Sequence, residues 1–496
     1  MSSDDLIEQT RSLLLEAQQT FTGLQGHEML TEALVRLDSP LRVAIAGKVK
    51  AGKSTLLNAL VGSRIAPTDT GECTTIITWY RGGYSPDVQL YPRDGNPPQS
   101  ARFDRLDTAI EVDLAGRAPG AIERLVITWP SPSLTDVTLI DTPGVDTLSE
   151  EVGDRAYEFL NPQDAMTQAD AVLYLMKHAH AADLKLLEAF HDDAVSQPDP
   201  VNAIAVLSRA DEVGGGLTDS MASARKISKR YSGDARIRRL VQMVVPVAGL
   251  LAESARTLQE GEFRAFGELA ATPRALLDLH LLSADRFVNA PIEVALTKIE
   301  RRQLLERFGI FGIRQAVVLV RTKKASTSSE LAEMLAQRSG LVELQTILTT
   351  LFLSRKNVLK SRSGLHAIAA VCEKNPTHPR SSDFYNAIEQ IIIGAHQFKE
   401  LSAIASIRSG HTQGRPKQLE ELERILGTAG TAGWQRLGLS AETPPNQIMV
   451  AALDEIVKWQ RVAASPTTKL AMKRDINTAI LSLERLVDLV RNTATP

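Results

Sequence analysis

The sequence predicts an α/β domain, a mostly parallel sheet with helices on both faces, followed by an elongated α-helical bundle. Three observations predict it. Up to about residue 275, short apolar runs alternate with helical stretches, the pattern of a parallel, doubly covered sheet. A glycine-rich turn, Gly47-Lys48-Val49-Lys50-Ala51-Gly52-Lys53-Ser54, separates one such run from a helical stretch. After about residue 276 the strand-like runs stop and helical patterns continue almost to the end.

In chain order, residues 3–36 read as helical. Leu6, Leu13, Leu14, Ala17 and Phe21 recur at helical spacing, Ser3 is a candidate cap, and Asp4 and Asp5 suit the positive helix end. Leu41 to Ala46 (LRVAIA) reads as a buried strand. Further strands are expected over 75–80, 125–129, 137–140, 171–176, 203–207 and 243–247. Helices are expected over 276–289, 292–308, 328–337, 341–360, 383–402, 417–426, 446–463 and 468–492. Gly340, Pro376 to Pro379, Gly410 to Pro416 and Pro444–Pro445 break them. The expected units are a helix over 1–38 that packs on the helical neck and trunk, the α/β domain over 39–275, and the bundle over 276–496.

Residues 47–54 fit GxxxxGK[ST]. The glycines let the backbone N–H groups of Gly47, Lys48, Lys50, Ala51 and Gly52 wrap a phosphate. Lys53 reaches the β- and γ-phosphates, Ser54 can bind Mg²⁺, and Thr55 belongs to the helix start, whose dipole attracts phosphate. A strand before and a helix after supply the context that the motif requires. Asp141-Thr142-Pro143-Gly144 follows a strand. Its carboxylate can join the Mg²⁺ shell and the Gly144 N–H can sense a γ-phosphate; the same four residues also read as a simple turn. Ser208-Arg209-Ala210-Asp211 ends the strand over 203–207 and stands where an [NT]KxD element reads guanine. Asp211 would accept from two guanine nitrogens and the Arg209 guanidinium would stack on the base. Ala248 marks the last base-side loop.

Thr74 is the candidate that closes over Mg²⁺ and the γ-phosphate, with Thr70 and Thr75 as rivals. Cys73 beside it reads as a small apolar residue. Val145 stands where Ras-type GTPases carry a water-orienting Gln, so hydrolysis must rely on other groups. Lys50 is a second cation in the loop. It reads equally as a catalytic charge at the transition state and as a solvated lysine on the loop rim.

The 496 residues are 43% hydrophobic and 23% charged, the make-up of an ordinary globular chain. Two cysteines, Cys73 and Cys372, make no disulfide framework, which points to a reducing compartment. The start, MSSDDLIEQT, is not a signal peptide, and no window of about 18 apolar residues lacks a charge. Membrane contact is therefore expected to be peripheral. With 56 basic against 59 acidic residues the net charge is −3, but it is unevenly spread. Residues 1–275 hold 27 basic and 38 acidic residues; 276–496 hold 29 and 21. A basic second half suits anionic lipid, or docking against the acidic first half. Residues 301–324 (RRQLLERFGIFGIRQAVVLVRTKK) carry seven basic residues and one acidic around an apolar centre. They suit a lipid surface or a buried helix pair in which Gly309 and Gly312 allow close approach; core packing is the favoured reading. Loops near Lys374–Arg380 or Gly410–Lys417 are alternative lipid contacts. With no GXXG loop or aromatic platform, and 5% aromatic residues, no nucleic-acid partner is expected.

LRVAIAGKVKAGKSTLLNALVG, IAPTDTGECTTIITW, VTLIDTPG, ADAVLYL and VLSRAD together resemble the bacterial dynamin-like GTPases. Within that family they resemble the isoniazid-inducible dynamin-like proteins of actinobacteria, in particular the shorter kind that lacks transmembrane segments. LLERFGIFGIRQAV and QRSGLVELQTIL in the trunk look similar too. The resemblance implies GTP and GDP binding with Mg²⁺, and pairing of GTPase domains across the nucleotide. It implies hydrolysis that swings the trunk, a lipid-engaging tip, and a second dynamin-like protein as partner. Localisation would be cytoplasmic, at the inner face of the cell membrane. Carried over, Gly47, Gly52, Lys53 and Ser54 hold phosphate and Mg²⁺, Thr74 closes the first switch, and Asp141 and Gly144 form the second. Arg209 and Asp211 hold the base. The departures are Val49 and Lys50, where eukaryotic dynamins carry Gln and Ser and use a monovalent cation; Lys50 is the candidate replacement. The resemblance also implies that the first helix packs on the last. The alternative function is a GTP-dependent regulatory module for a paired dynamin-like protein.

Overall fold

The structure, a computed structural model, describes residues 3–67, 75–105, 109–144, 168–178, 187, 202–291, 293–408 and 410–494. Its centre is a nine-stranded sheet. The strands are β1 Leu41–Gly47, β2 Ile77–Gly82, β3 Asp87–Pro92, β4 Gln99–Ser100, β7 Ile122–Trp129, β8 Val137–Asp141, β9 Ala171–Met176, β10 Ala203–Ser208 and β11 Val244–Val247. A separate short hairpin, β5 Phe103–Arg105 with β6 Ile110–Val112, completes the set. The sheet order is β11-β10-β9-β1-β8-β2-β7-β3-β4. From β11 to β8 all neighbours are parallel, and each of these strands except β8 is buried along its whole length. Such strands read as continuous apolar runs because helices cover both faces.

Past β8 the pairing changes. β2 runs antiparallel to β8 and parallel to β7, and β3 and β4 add antiparallel pairs. β3 was absent from the expected strands for a physical reason. It buries only alternate residues, Val88, Leu90 and Pro92, so its apolar content is halved and it lies among glycines and prolines.

The expected helix over 3–36 is two helices, Ser3–Thr20 and His27–Asp38. The turn between them holds Gly23 and Gly26 at φ 76° and 89°, a backbone that ends a helix. Both pack with Lys356–Lys374 and Ser381–Gly394 around Leu14, Phe21, Ile368 and Phe384. The last helix, Leu470–Ala494, belongs to a different core, with His396–Arg408, Pro416–Ile425 and Pro445–Ala464 around Trp459 and Leu483. The first helix therefore has its core with Lys356–Lys374 and Ser381–Gly394, where the family resemblance implied the last helix.

Of the segment 301–324, residues 301–321 lie in the helix Lys298–Arg321, whose Phe308, Ile313, Ala316 and Leu319 are buried in the same core as the sheet. Its arginines serve carbonyl groups: Arg314 donates to Leu281 O (2.7 Å), Arg321 to Ala270 O (3.0 Å) and Thr272 O (2.8 Å). Core packing is thus what these residues do. Gly309 interrupts the helix at φ 62°, ψ 172°, a conformation essentially open to glycine alone. Among the described residues no helix is long and apolar enough to cross a membrane.

The sheet meets the helical part at a buried ion pair. Arg36 Nη2 lies 2.6 Å from Asp170 Oδ1, with both side chains at most 1% exposed. Asp170 also accepts from the Arg42 backbone N–H (2.8 Å) and Ser363 Oγ (3.3 Å). Lys360 Nζ donates to Leu37 O (2.9 Å) at the same place. Arg36→Met leaves the Asp170 carboxylate buried without its charge partner. We expect a loss of about 3–5 kcal/mol in urea unfolding, with Arg36→Met/Asp170→Leu recovering most of it.

Candidate nucleotide site

The loop after β1 approaches its neighbours too closely for side chains. A Cβ on Gly47 would stand 2.5 Å from Leu175 O, because β1 and β9 pair there. Gly52, at φ 93°, ends the loop and starts the helix Lys53–Val61. Lys50 is also left-handed (φ 59°) with an exposed side chain. Lys53 Nζ arches back and donates to Gly47 O and Lys48 O, each at 3.3 Å. Burial lowers its pKa, and the Asp141 charge partly offsets this. The ammonium is therefore folded over its own loop, where phosphate oxygens could replace two carbonyls.

Asp141 ends β8. Its Oδ2 accepts from Ser54 Oγ at 3.1 Å, while Oδ1 is buried with no hydrogen-bond partner among the described residues. Burial raises its pKa against the pull of Lys53 and Ser54. A hydroxyl and a carboxylate with a free buried oxygen are the hard-oxygen donors that Mg²⁺ takes beside phosphates. Ser54 and Asp141 thus fit that metal and would hold it; when bound it would supply positive charge beside the phosphates. Thr142 is pinned by donation to Ile45 O (3.0 Å), and Gly144 sits against the loop: a Cβ there would meet Val49 Cγ2 at 2.5 Å. Thr74, Thr70, Cys73 and Val145 lie outside the described residues; Thr75 is described, just before β2.

Beside the loop is a cavity of about 250 Å³, of a size for a ring system, walled by Leu175, Ser208, Arg209, Asp211, Val247 and Leu250 among others, with Ala51, Gly52 and Thr55 on its phosphate side. Burial raises the Asp211 pKa, and the adjacent Glu212 charge adds to this. Ser208 is 7% exposed and its hydroxyl has no partner among the described residues. Arg209, itself left-handed (φ 52°), donates from Nη2 to Lys50 O and from Nη1 to Glu212 Oε1, both at 2.9 Å. Its head ties the base side to the phosphate loop, and its stem walls the cavity. Ala248 is buried and its N–H donates to Ser339 O (2.9 Å); the wall is built by Val247, Gly249 and Leu250 on either side of it.

Two supporting residues escaped sequence reading. Asn58, buried in the loop's helix, accepts from the N–H groups of Ile65 and Ala66 and donates to Ala66 O and Glu253 Oε1 (2.8–3.0 Å). It holds the start of the segment that leads to Thr74. The signal was a lone amide in STLLNALV; its buried partner Glu253 carries no sequence signal.

Comparison with known proteins agrees with this arrangement. The family model described as "Dynamin family" matches residues 43–209. The isoniazid-induced protein IniC of Mycobacterium tuberculosis is 35% identical over 501 residues, covering 98% of this chain and 99% of that protein. The chain belongs to the dynamin family. IniA of the same organism is 28% identical over 271 residues, 53% of this chain and 40% of its own. The bacterial dynamin-like protein of Nostoc punctiforme is 30% identical over 115 residues, 21% of this chain and 17% of its own. For a dynamin-family chain the general implication is guanine-nucleotide binding.

The electrostatics give a test. The raised Asp141 pKa means that ionising it costs folding free energy as pH rises above the usual carboxylate range. Asp141→Asn removes that cost. Without ligand it should melt no lower than wild type at pH 7 and lose its advantage towards pH 4 in thermal scans, while Mg²⁺ no longer adds to stabilisation by nucleotide.

Proposed function

We propose that this chain is a GTPase that binds and hydrolyses GTP with Mg²⁺ through pairing of its GTPase domains, and couples hydrolysis to trunk movement in peripheral membrane remodelling or maintenance. The single observation that carries this reading is the meeting of Asp211, in its cavity, with the loop of Lys53 and Ser54 across the Arg209–Lys50 bond. In it, Asp211 and Ser208 read the guanine, and the backbone from Gly47 to Gly52 wraps the β-phosphate. Lys53 turns from its two carbonyls to the β- and γ-oxygens, and Thr74 with Gly144 closes over the γ-phosphate. Lys50 supplies positive charge as the β–γ bond breaks.

The domain division is read as a neck helix pair within 1–38, the GTPase domain over 39–275 and the helical neck and trunk over 276–496. The proposed partners are a second copy of the chain, a paired dynamin-like protein and lipid. The proposed place is the cytoplasmic face of the membrane. A second reading is a GTP-dependent regulatory module for the paired protein. What favours it is the burial of the apolar centre of 301–324, which removes that segment as a lipid-inserting element.

Turnover should be measured with GTP and ATP, across protein concentration, with and without anionic liposomes. The proposal expects GTP to be strongly preferred and the rate per molecule to rise with concentration or lipid. Equal rates with ATP contradict GTP specificity, and a rate indifferent to both variables contradicts assembly-coupled hydrolysis. Lys50→Ala should lower stimulated turnover towards about 10³-fold, the scale of a transition-state cation; unchanged turnover removes Lys50 from catalysis.

A further inference from the structure

We propose that the outer face of the helix Ser220–Gly233, with the turn after it, docks on the anionic headgroups of a lipid bilayer. The inference rests on the reading that the chain works at a membrane, and it assigns that contact to the GTPase half. This half is the acidic one, with 38 acidic against 27 basic residues up to 275. Yet Arg225, Lys226, Lys229, Arg230, Arg236 and Arg239 fall within fifteen residues, and all six are exposed.

The helix period explains the clustering. Met221, Ala224 and Ser228 turn inward, so positions 225, 226, 229 and 230 share the opposite face. The one carboxylate in the stretch, Asp234, is taken by Arg236, at 2.9 Å from its Nη2. Arg225 has Glu343 at 3.8 Å. No ion pair among the described residues neutralises Lys226, Lys229, Arg230 or Arg239. The field of the cluster is thus directed to solvent.

Between 222 and 239 the other exposed side chains are small, Ala222, Gly233 and Ala235, and Leu217 and Asp219 are exposed just before the helix. A flat helix face with four to eight cations and no large apolar residue matches a layer of anionic headgroups and would lie on it without insertion. A single-stranded nucleic acid needs stacking surfaces; the one aromatic here, Tyr231, is half-buried beneath Arg230. The surface borders the joint with the C-terminal bundle, because Arg238 in the same stretch pairs with Glu423, which Arg408 also holds at 3.3 Å. Contact with lipid here would bear directly on that joint.

The test is co-sedimentation of the full chain with vesicles of phosphatidylcholine alone and with added phosphatidylglycerol, at about 0.1 M and about 1 M salt, where the screening length falls from about 10 Å to about 3 Å. Wild type should bind the phosphatidylglycerol vesicles at low salt only. K226E/K229E/R230E should bind at least about tenfold more weakly, and K226Q/K229Q/R230Q should fall between. GTP turnover without vesicles, as a control of folding, should match wild type in both. Wild-type binding that the triple variants retain overturns the assignment to this face and leaves the membrane reading standing. No wild-type binding to phosphatidylglycerol overturns both. Charge-dependent self-association or RNA retention without vesicle binding also overturns the proposal.

Discussion

The carboxylate of Asp170 sets the geometry on which both ends of the molecule depend. It stands one residue before β9 and accepts from the Arg42 backbone N–H, so it fixes where β9 begins against β1. That register carries along the pair to Gly47 and Leu175, where the backbone contact demands glycine. The same carboxylate holds Arg36 from the N-terminal helices and Ser363 from Lys356–Lys374. One buried charge thus aligns the central strand pair and attaches it to the helical part. Buried pairs of this kind are weak sources of net stability but are costly to break, which suits a joint that must keep one arrangement.

At the other end of β1 the physics is that of a site prepared for charge. Lys53 and Asp141 are partly buried, and this burial pushes each towards its neutral form. Anionic phosphate and a divalent cation would relieve both penalties together. Arg209 joins this phosphate region to the base cavity through Lys50 O, and Leu250 of the cavity wall lies where a Cβ added at Gly309 would meet its Cδ2 at 3.6 Å. Gly309 is where the long helix Lys298–Arg321 breaks. The cavity wall and the break at Gly309 are thus neighbours in the fold.

How much of this was legible follows from how local each feature is. The phosphate loop, β1, β8 and Asp141 are written in contiguous residues, and the fully buried strands β9 and β10 stand out as apolar runs. β3 did not, because it is buried on one face only. The break at Gly23 and Gly26 was hidden by the apolar spacing that continues on both sides. Gly309 was legible as a small residue for close packing but not as a kink, which depends on its ψ. The pairs Arg36–Asp170, Asn58–Glu253 and Arg238–Glu423 bridge 134, 195 and 185 residues, and no periodicity encodes them. Ala248 was the residue named for the last base-side loop; Val247, Gly249 and Leu250 beside it line the cavity, while the Ala248 N–H donates to Ser339 O. The basic face of Ser220–Gly233 was concealed by the net charge of the half that contains it.

In the proposed function Asp211 reads a guanine in the cavity beside the phosphate loop. The measurement closest to it is equilibrium titration of GDP and xanthosine diphosphate against wild type and Asp211→Asn, in Mg²⁺. A carboxylate accepts from guanine N1–H and N2–H₂, whereas an amide also donates and suits the xanthine carbonyl. If Asp211 reads guanine, wild type prefers GDP and Asp211→Asn reverses the order. An unchanged order of affinities would contradict it.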